Sequence, residues 1–157
     1  MAVAAAINGP DFAPFNEALF IKEPGRGASV AWHQDGVTHW DSPQWDQGTH
    51  GFNFMGQLYG CTAANGVWVV PGSHKLGQMP HAEMQDPENL LSRGQELAVD
   101  VDRSKTAYMP VKAGQFSLHH THLVHNSRPN RSNDRRIGLG ISYIPTWARC
   151  TSATRVT

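Results

Sequence analysis

The chain has 157 residues, with 13 basic and 13 acidic side chains and a formal net charge of zero. That balance argues against a nucleic-acid binder working by bulk electrostatics and against a basic membrane-surface protein. The length suits one domain around one core. Charged residues are 17% of the chain while Gly (15) and Pro (10) are plentiful, which favours short strands joined by turns over long amphipathic helices. Nine histidines are a first compositional hint of metal chemistry. Cys61 and Cys150 have no CxxC spacing, so a disulfide framework is not expected and a reducing, cytoplasmic setting fits. The apolar run in "MAVAAAINGPDF" has no basic residue before it, is too short for a signal segment with its flanks and far too short to span a bilayer.

In chain order, residues 1–16 read as an irregular lead-in containing Pro10 and Pro14. "EALFIKEP" (17–24) and "GASVAWHQD" (27–35) read as strands, and the polar, aromatic segment 36–51 as a loop of the kind that often serves as a lid. "FNFMGQLYGCT" (52–62) and "VWVV" (67–70) read as strands separated by the turn "AANG", with "PGSHK" (71–75) as a further turn. "HAEMQDPENLLSRG" (81–94) reads as the one short helix, ended by Gly94. "ELAVDV", "AYMPVKAG", "QFSLHH" and "RIGLGISYIP" are short and β-like. The expected fold is mainly all-β, a barrel or double-sheet jelly roll in a single domain over 1–157.

Two stretches carry the chemistry. In "VAWHQDGVTHW" (30–40), strand alternation would put His33 and Asp35 on one face and Gln34 on the other. An imidazole and a carboxylate sharing a face need a partner, either a metal ion or solvent. In "SLHHTHLVHNSRPNRSNDRRIGLGISYIP" (117–145), four histidines (119, 120, 122 and 125) fall within seven residues. On the final strand, Arg136, Gly138, Gly140 and Ser142 would share one face, and Ile137, Leu139, Ile141 and Tyr143 would form an apolar face that packs. A guanidinium beside residues with almost no side chain suits a carboxylate ligand, because Arg offers a planar fork of donors. Two histidines and one carboxylate on one side of an iron ion leave open positions, the arrangement of non-haem Fe(II) oxygenases.

"WHQD", "NGVWVVPGSHK" and "HNSRPNRSNDRR", in this order, resemble the phytanoyl-CoA dioxygenase family of Fe(II)/2-oxoglutarate oxygenases, and the resemblance runs from about Leu19 to Pro145. It implies a double-stranded β-helix, a jelly-roll and cupin relative. It also implies that His33, Asp35 and His125 are the iron ligands and catalytic centre. Arg136, eleven residues beyond His125, would bind the far carboxylate of 2-oxoglutarate. Ser127 would be a hydroxyl helper, in competition with plain turn capping, and Gln34 a further co-substrate contact, although a strict strand points it away. The implied reaction uses dioxygen to hydroxylate a small organic substrate, with 2-oxoglutarate converted to succinate and CO2. Hydroxylation is favoured over halogenation because Asp35 keeps the carboxylate that halogenating relatives lack.

Family members are usually longer at the N-terminus, so the chain is expected to lack that extension. A metal-binding cupin-like module without turnover is the alternative. His120 is expected near the pocket, and His119 and His122 to be satisfied or exposed. His39, Trp40 and Trp45 are read as packing the loop onto the barrel, with a substrate lid as the competing role. Lys22 is read as a solvated strand end, with a contact to an acidic group near the pocket as the competing role, and Arg128, Arg131 and Arg135 as solvated or steering an anionic substrate.

Overall fold

A computed structural model describes residues 2–26, 28–35, 51–84, 86–91 and 95–146. The elements run α1 (Ala2–Asn8), β1 (Phe12–Lys22), β2 (Val30–His33), β3 (Phe52–Gln57), β4 (Val67–Val69), β5 (His81–Glu83), β6 (Gln95–Leu97), β7 (Ala107–Met109), β8 (Phe116–His120), β9 (His125–Ser127) and β10 (Arg136–Pro145). Eight of the strands form two four-stranded sheets, ordered β1-β10-β3-β8 and β2-β9-β4-β7, while β5 and β6 make a separate hairpin. The pairing is antiparallel throughout these sheets. The chain passes from one sheet to the other between successive strands, β1 to β2, β3 to β4, β7 to β8, β8 to β9 and β9 to β10. This is the expected double-stranded β-helix, a jelly roll.

One short α-helix is present among the described residues, at a different place from the one expected. Ala2–Asn8 is alanine-rich and helix-favouring, and it stops at Gly9, whose φ of 77° gives the left-handed turn that commonly ends a helix. Among the described residues of 81–94 the expected helix is absent. His81–Glu83 pairs with Gln95–Leu97 as a hairpin, and Asn89 bridges to Ser29. Pro87 lacks the N–H a helix needs, and the strand's tertiary partners outweigh the weak helical pattern. The first strand begins earlier than expected, at Phe12, and runs through Pro14. A proline is tolerated there because β1 is an edge strand with a register shift between Pro14 and Asn16.

The interior between the sheets is largely polar. Arg136, Lys22, Gln34, Asn65 and Asn130 are the largest fully buried side chains, whereas the buried apolar set is small and includes Val30, Phe52, Met55, Val67 and Val124. The β1-β10-β3-β8 sheet has the longer strands and is the large sheet; its Ala18, Phe20 and Met55, with Val30 and Val67 from the other, line one cavity between them. The apolar face of β10 is half-buried, with Tyr143 stacked on Phe52 at 5.2 Å between ring centroids, and its Leu139 row lies on the outer side of the sheet. Register places Leu19, Leu139, Gly56 and Phe116 in one cross-strand row on the outer face of the large sheet. Leu19 is 58% exposed and Phe116 47% exposed. It is the arginine-bearing face that is buried.

Candidate metal centre

Strand β2 ends at His33, so Asp35 lies beyond it and does not reach the site by strand alternation. Alternation is interrupted within β2 as well. Val30 pairs with Ser127 and His33 with His125, so two residues of β2 oppose one of β9, a bulge. It allows Val30 and His33, three positions apart, both to line the cavity. On β9, His125 and Ser127 share the inward face and are buried.

The donor atoms of His33, Asp35 and His125 lie within 4.8 Å of one another. Nδ1 of His33 is 2.8 Å from the Ala31 carbonyl oxygen, and Nδ1 of His125 is 2.8 Å from that of Leu123. A carbonyl can only accept, so each Nδ1 carries a proton, and in the neutral tautomer this leaves a bare Nε2 turned toward the carboxylate. His33 Nε2 is 3.1 Å from Asp35 Oδ1, and His125 Nε2 is 3.5 Å from Oδ2. Bare nitrogen lone pairs facing carboxylate oxygens with no proton between them repel, and a cation resolves this. Burial, reinforced by the other imidazoles, pushes His125 down to about 3, although the Asp35 charge opposes the shift. Burial would raise Asp35, but the surrounding imidazoles of His125, His119 and His33 hold it well below the usual carboxylate range. His125 is therefore neutral and Asp35 ionised at neutral pH, the states metal binding requires of them.

A second cluster lies at the start of β10. Arg136 is 1% exposed and its Nη1 reaches Ser127 Oγ at 3.4 Å, while its Nε is buried with no hydrogen-bond partner. Its register partner is Lys22, which is fully buried and so corrects the expectation of a solvated strand end. Lys22 Nζ donates to the Ser127 and Arg128 carbonyls at 3.1 and 2.6 Å. Beyond Arg136, Gly140 opens onto the cavity, and Gly138 has Met55 and Gln57 as neighbours. The buried Arg136 guanidinium, with Lys22 packed beside it, makes an anion-complementary end to the cavity that begins at His33 and His125.

Gln34 is turned away from the cavity where a co-substrate contact was expected. Although the strand ends before it, its Nε2 donates to the Gly77 and His122 carbonyls at 2.9 and 2.7 Å, and its Oε1 accepts from Met79 N at 2.7 Å. Both amide protons are engaged away from the cavity, so Gln34 clamps the segment after "PGSHK" and does not face a co-substrate. His119 is the residue that sequence reasoning missed. It pairs with Asn53 on the inner face of the large sheet, whereas His120 pairs with Phe52 on the other. Both His119 and Asn53 are buried, and both reach Asp35 Oδ2. Alternation along β8 separates the two histidines. The inward parity could not be taken from His125, because the turn at 121–124 intervenes.

Arg128 stacks over Trp68 at 4.3 Å and Arg135 pairs with Glu23 at 2.9 Å. His39, Trp40 and Trp45 lie outside the described residues.

A family model described as phytanoyl-CoA dioxygenase matches residues 2–138. Over 133 residues the chain is 32% identical to a Stutzerimonas stutzeri protein described as a probable alpha-ketoglutarate-dependent hypophosphite dioxygenase, covering 82% of this chain and 43% of that one. It is 28% identical over 139 residues to phytanoyl-CoA dioxygenase 1 of Oryza sativa subsp. japonica, covering 83% of this chain and 44% of that one. The chain thus spans less than half the length of these curated relatives. Among solved structures, the apo form of ThoJ, described as a non-heme monooxygenase, superposes with a TM-score of 0.77 at 33% identity, over 96% of this chain and 53% of that one. EvdO2 from Micromonospora carbonacea var. aurantiaca shares the fold, with a TM-score of 0.79 at 22% identity over 98% of this chain and 60% of that one.

Proposed function

The chain belongs to the phytanoyl-CoA dioxygenase family, and from that premise we propose that it is an Fe(II)- and 2-oxoglutarate-dependent oxygenase that hydroxylates a small organic substrate. One observation carries the reading: a buried two-histidine, one-carboxylate donor set shares a cavity with Arg136, whose buried Nε has no partner. The donor set suits Fe(II), since neutral imidazoles and one carboxylate leave positions open for co-substrate and dioxygen. An unpartnered buried guanidinium nitrogen suits a carboxylate.

His33, Asp35 and His125 would hold the iron. Arg136 would pair with the far carboxylate of 2-oxoglutarate, with the Ser127 hydroxyl beside it. When bound, iron and 2-oxoglutarate supply the oxidising chemistry: dioxygen is consumed, 2-oxoglutarate becomes succinate and CO2, and a substrate C–H bond becomes C–OH. The chain's own contribution is positional. The Ala31 and Leu123 carbonyls fix the two imidazole tautomers. The Ser127 and Arg128 carbonyls hold Lys22 behind the guanidinium. No side chain need act as a nucleophile. The proposal takes 1–157 as one oxygenase domain. It extends to a cytoplasmic location, which the free Cys61 thiol supports. No described helix is long and apolar enough to cross a membrane.

Succinate release tests the reading. With Fe(II), ascorbate and 2-oxoglutarate, the protein is expected to turn over 2-oxoglutarate slowly without a prime substrate, and Asp35→Ala to abolish that turnover. Unchanged turnover in Asp35→Ala would sink the ligand assignment. Arg136→Ala is expected to raise the 2-oxoglutarate requirement at least tenfold, roughly the loss of one charge-assisted pair, while leaving metal affinity intact. Metal binding with no visible charge-transfer band on adding 2-oxoglutarate would favour the cupin-like module without turnover.

A further inference from the structure

We propose that His119 is a positioning residue of the metal centre: together with Asn53 it holds the Oδ2 oxygen of Asp35, so that the carboxylate offers Oδ1 alone to the metal. The inference rests on the reading of His33, Asp35 and His125 as the metal's ligands.

Three imidazole Nε2 atoms face Asp35. Those of His33 and His125 approach at 3.1 and 3.5 Å, and that of His119 at 3.2 Å. By distance alone His119 would pass for a third histidine ligand, and its ring centroid is 4.7 Å from that of His125. The opposite side of each ring separates them. Backbone carbonyls take the Nδ1 proton of His33 and of His125, which leaves a lone pair at Nε2. The Nδ1 of His119 is buried and has no partner. Nothing holds a proton there, so the proton sits on Nε2, where it finds the carboxylate. The His119–Asp35 contact is then an ordinary N–H···O hydrogen bond that needs no cation, whereas the bare Nε2 atoms of His33 and His125 are left to a metal. His119 is also absent from the set of donor atoms lying within 4.8 Å of one another.

Asn53 adds a second donor to the same oxygen, through Nδ2. It is the register partner of His119 across β3 and β8, so the two donors come from adjacent strands of the large sheet, facing the edge where β2 delivers His33. An oxygen that already accepts two hydrogen bonds is the weaker metal donor. Fixing it also stops the carboxylate from rotating to bind through both oxygens, which would take up a position the co-substrate needs. Groups that orient a metal's ligands in this way commonly contribute a factor of ten or more to affinity.

The test measures Co(II) affinity by competition with a chelating dye, without 2-oxoglutarate or substrate. His119→Leu is expected to weaken Co(II) binding about tenfold and to shift the cobalt d–d bands as the carboxylate changes its mode. His119→Gln, which keeps an N–H donor, is expected to restore most of both. Pulsed electron paramagnetic resonance on the Cu(II)-loaded protein is expected to count two coordinated imidazoles in the wild type and in His119→Gln. Three in the wild type and two in His119→Gln would overturn the proposal in favour of His119 as a ligand, and so would an unchanged affinity in His119→Leu. Because metal affinity is read alone, a protein that binds Co(II) as expected yet never releases succinate would count against the oxygenase reading only.

Discussion

Lys22 shows how strongly neighbours set the chemistry of a single side chain. Burial, and then the adjacent Arg136 guanidinium, push it down from its ordinary 10.5 to about 7. Its folded value lies below its unfolded one, so below about pH 7 both states carry the proton and the full cost of a buried charge is present. As pH rises from 7 toward 10.5 the folded state gives up its proton first, and stability is gained by up to about 1.4 kcal/mol per pH unit. Urea unfolding of the metal-free protein between pH 7 and 10 is expected to show this rise, and Lys22→Met to lack it. Identical slopes in the two proteins would contradict the assignment. Adding 2-oxoglutarate is expected to flatten the wild-type slope, since an anion near Arg136 favours the charged lysine. None of this was legible in "FIKEP", because a lysine just before Pro-Gly reads as a strand end. Only its register against Arg136 and the two carbonyls above it bury it.

At the level of elements, one loop does much of the alignment. Asn130, 1% exposed, donates to the carbonyls of Lys22 and Asp134 at 3.0 and 2.8 Å and accepts from Ser132 N and Oγ at 3.1 and 2.6 Å. It ties the end of β1 to the segment leading into β10, the two strands that bring Lys22 and Arg136 together. Asn130→Ala is expected to cost about 2–3 kcal/mol, the penalty of leaving buried carbonyls unpaired, read as a lower urea midpoint. It is also expected to weaken 2-oxoglutarate binding, since the cations lose their register. Asn130→Asp should be worse, because it sets a carboxylate against two carbonyl oxygens. The strands around this loop were readable from alternation and turn residues, and "RIGLGISYIP" became a strand with the bounds Arg136–Pro145. Segment 81–94 was misread because a short mixed run has no period strong enough to compete with pairing partners supplied from elsewhere in the chain.

Seen whole, the molecule carries its polar groups inside and part of its apolar surface outside. The outer face of the large sheet exposes Leu19, Ile21, Leu58 and Phe116 by 47–58%, enough to bind a hydrophobic dye in the native state. The double variant Leu19→Lys, Phe116→Lys is expected to lower dye fluorescence while leaving Co(II) affinity unchanged, because the ligands His33 and His125 belong to the other sheet, across the cavity from this outer face. A parallel loss of metal binding would mean that the two faces are not independent. What the sequence by itself determined was the inventory: many short strands, an HxD pair, a distal histidine and an arginine eleven residues beyond it, in motifs specific enough to indicate the family. Those are local patterns, and the strand period and turn chemistry express them without reference to the rest of the chain. What only the tertiary structure decided was direction. The bulge in β2 turns His33 inward. The parity of β8 aims His119, and not His120, at Asp35. The contacts of Gln34 with Gly77, Met79 and His122 make it a clamp, and the packing of two sheets buries Lys22 beside Arg136. Each depends on which strand lies opposite which, and a pairing between residues a hundred positions apart leaves no trace in the spacing of either.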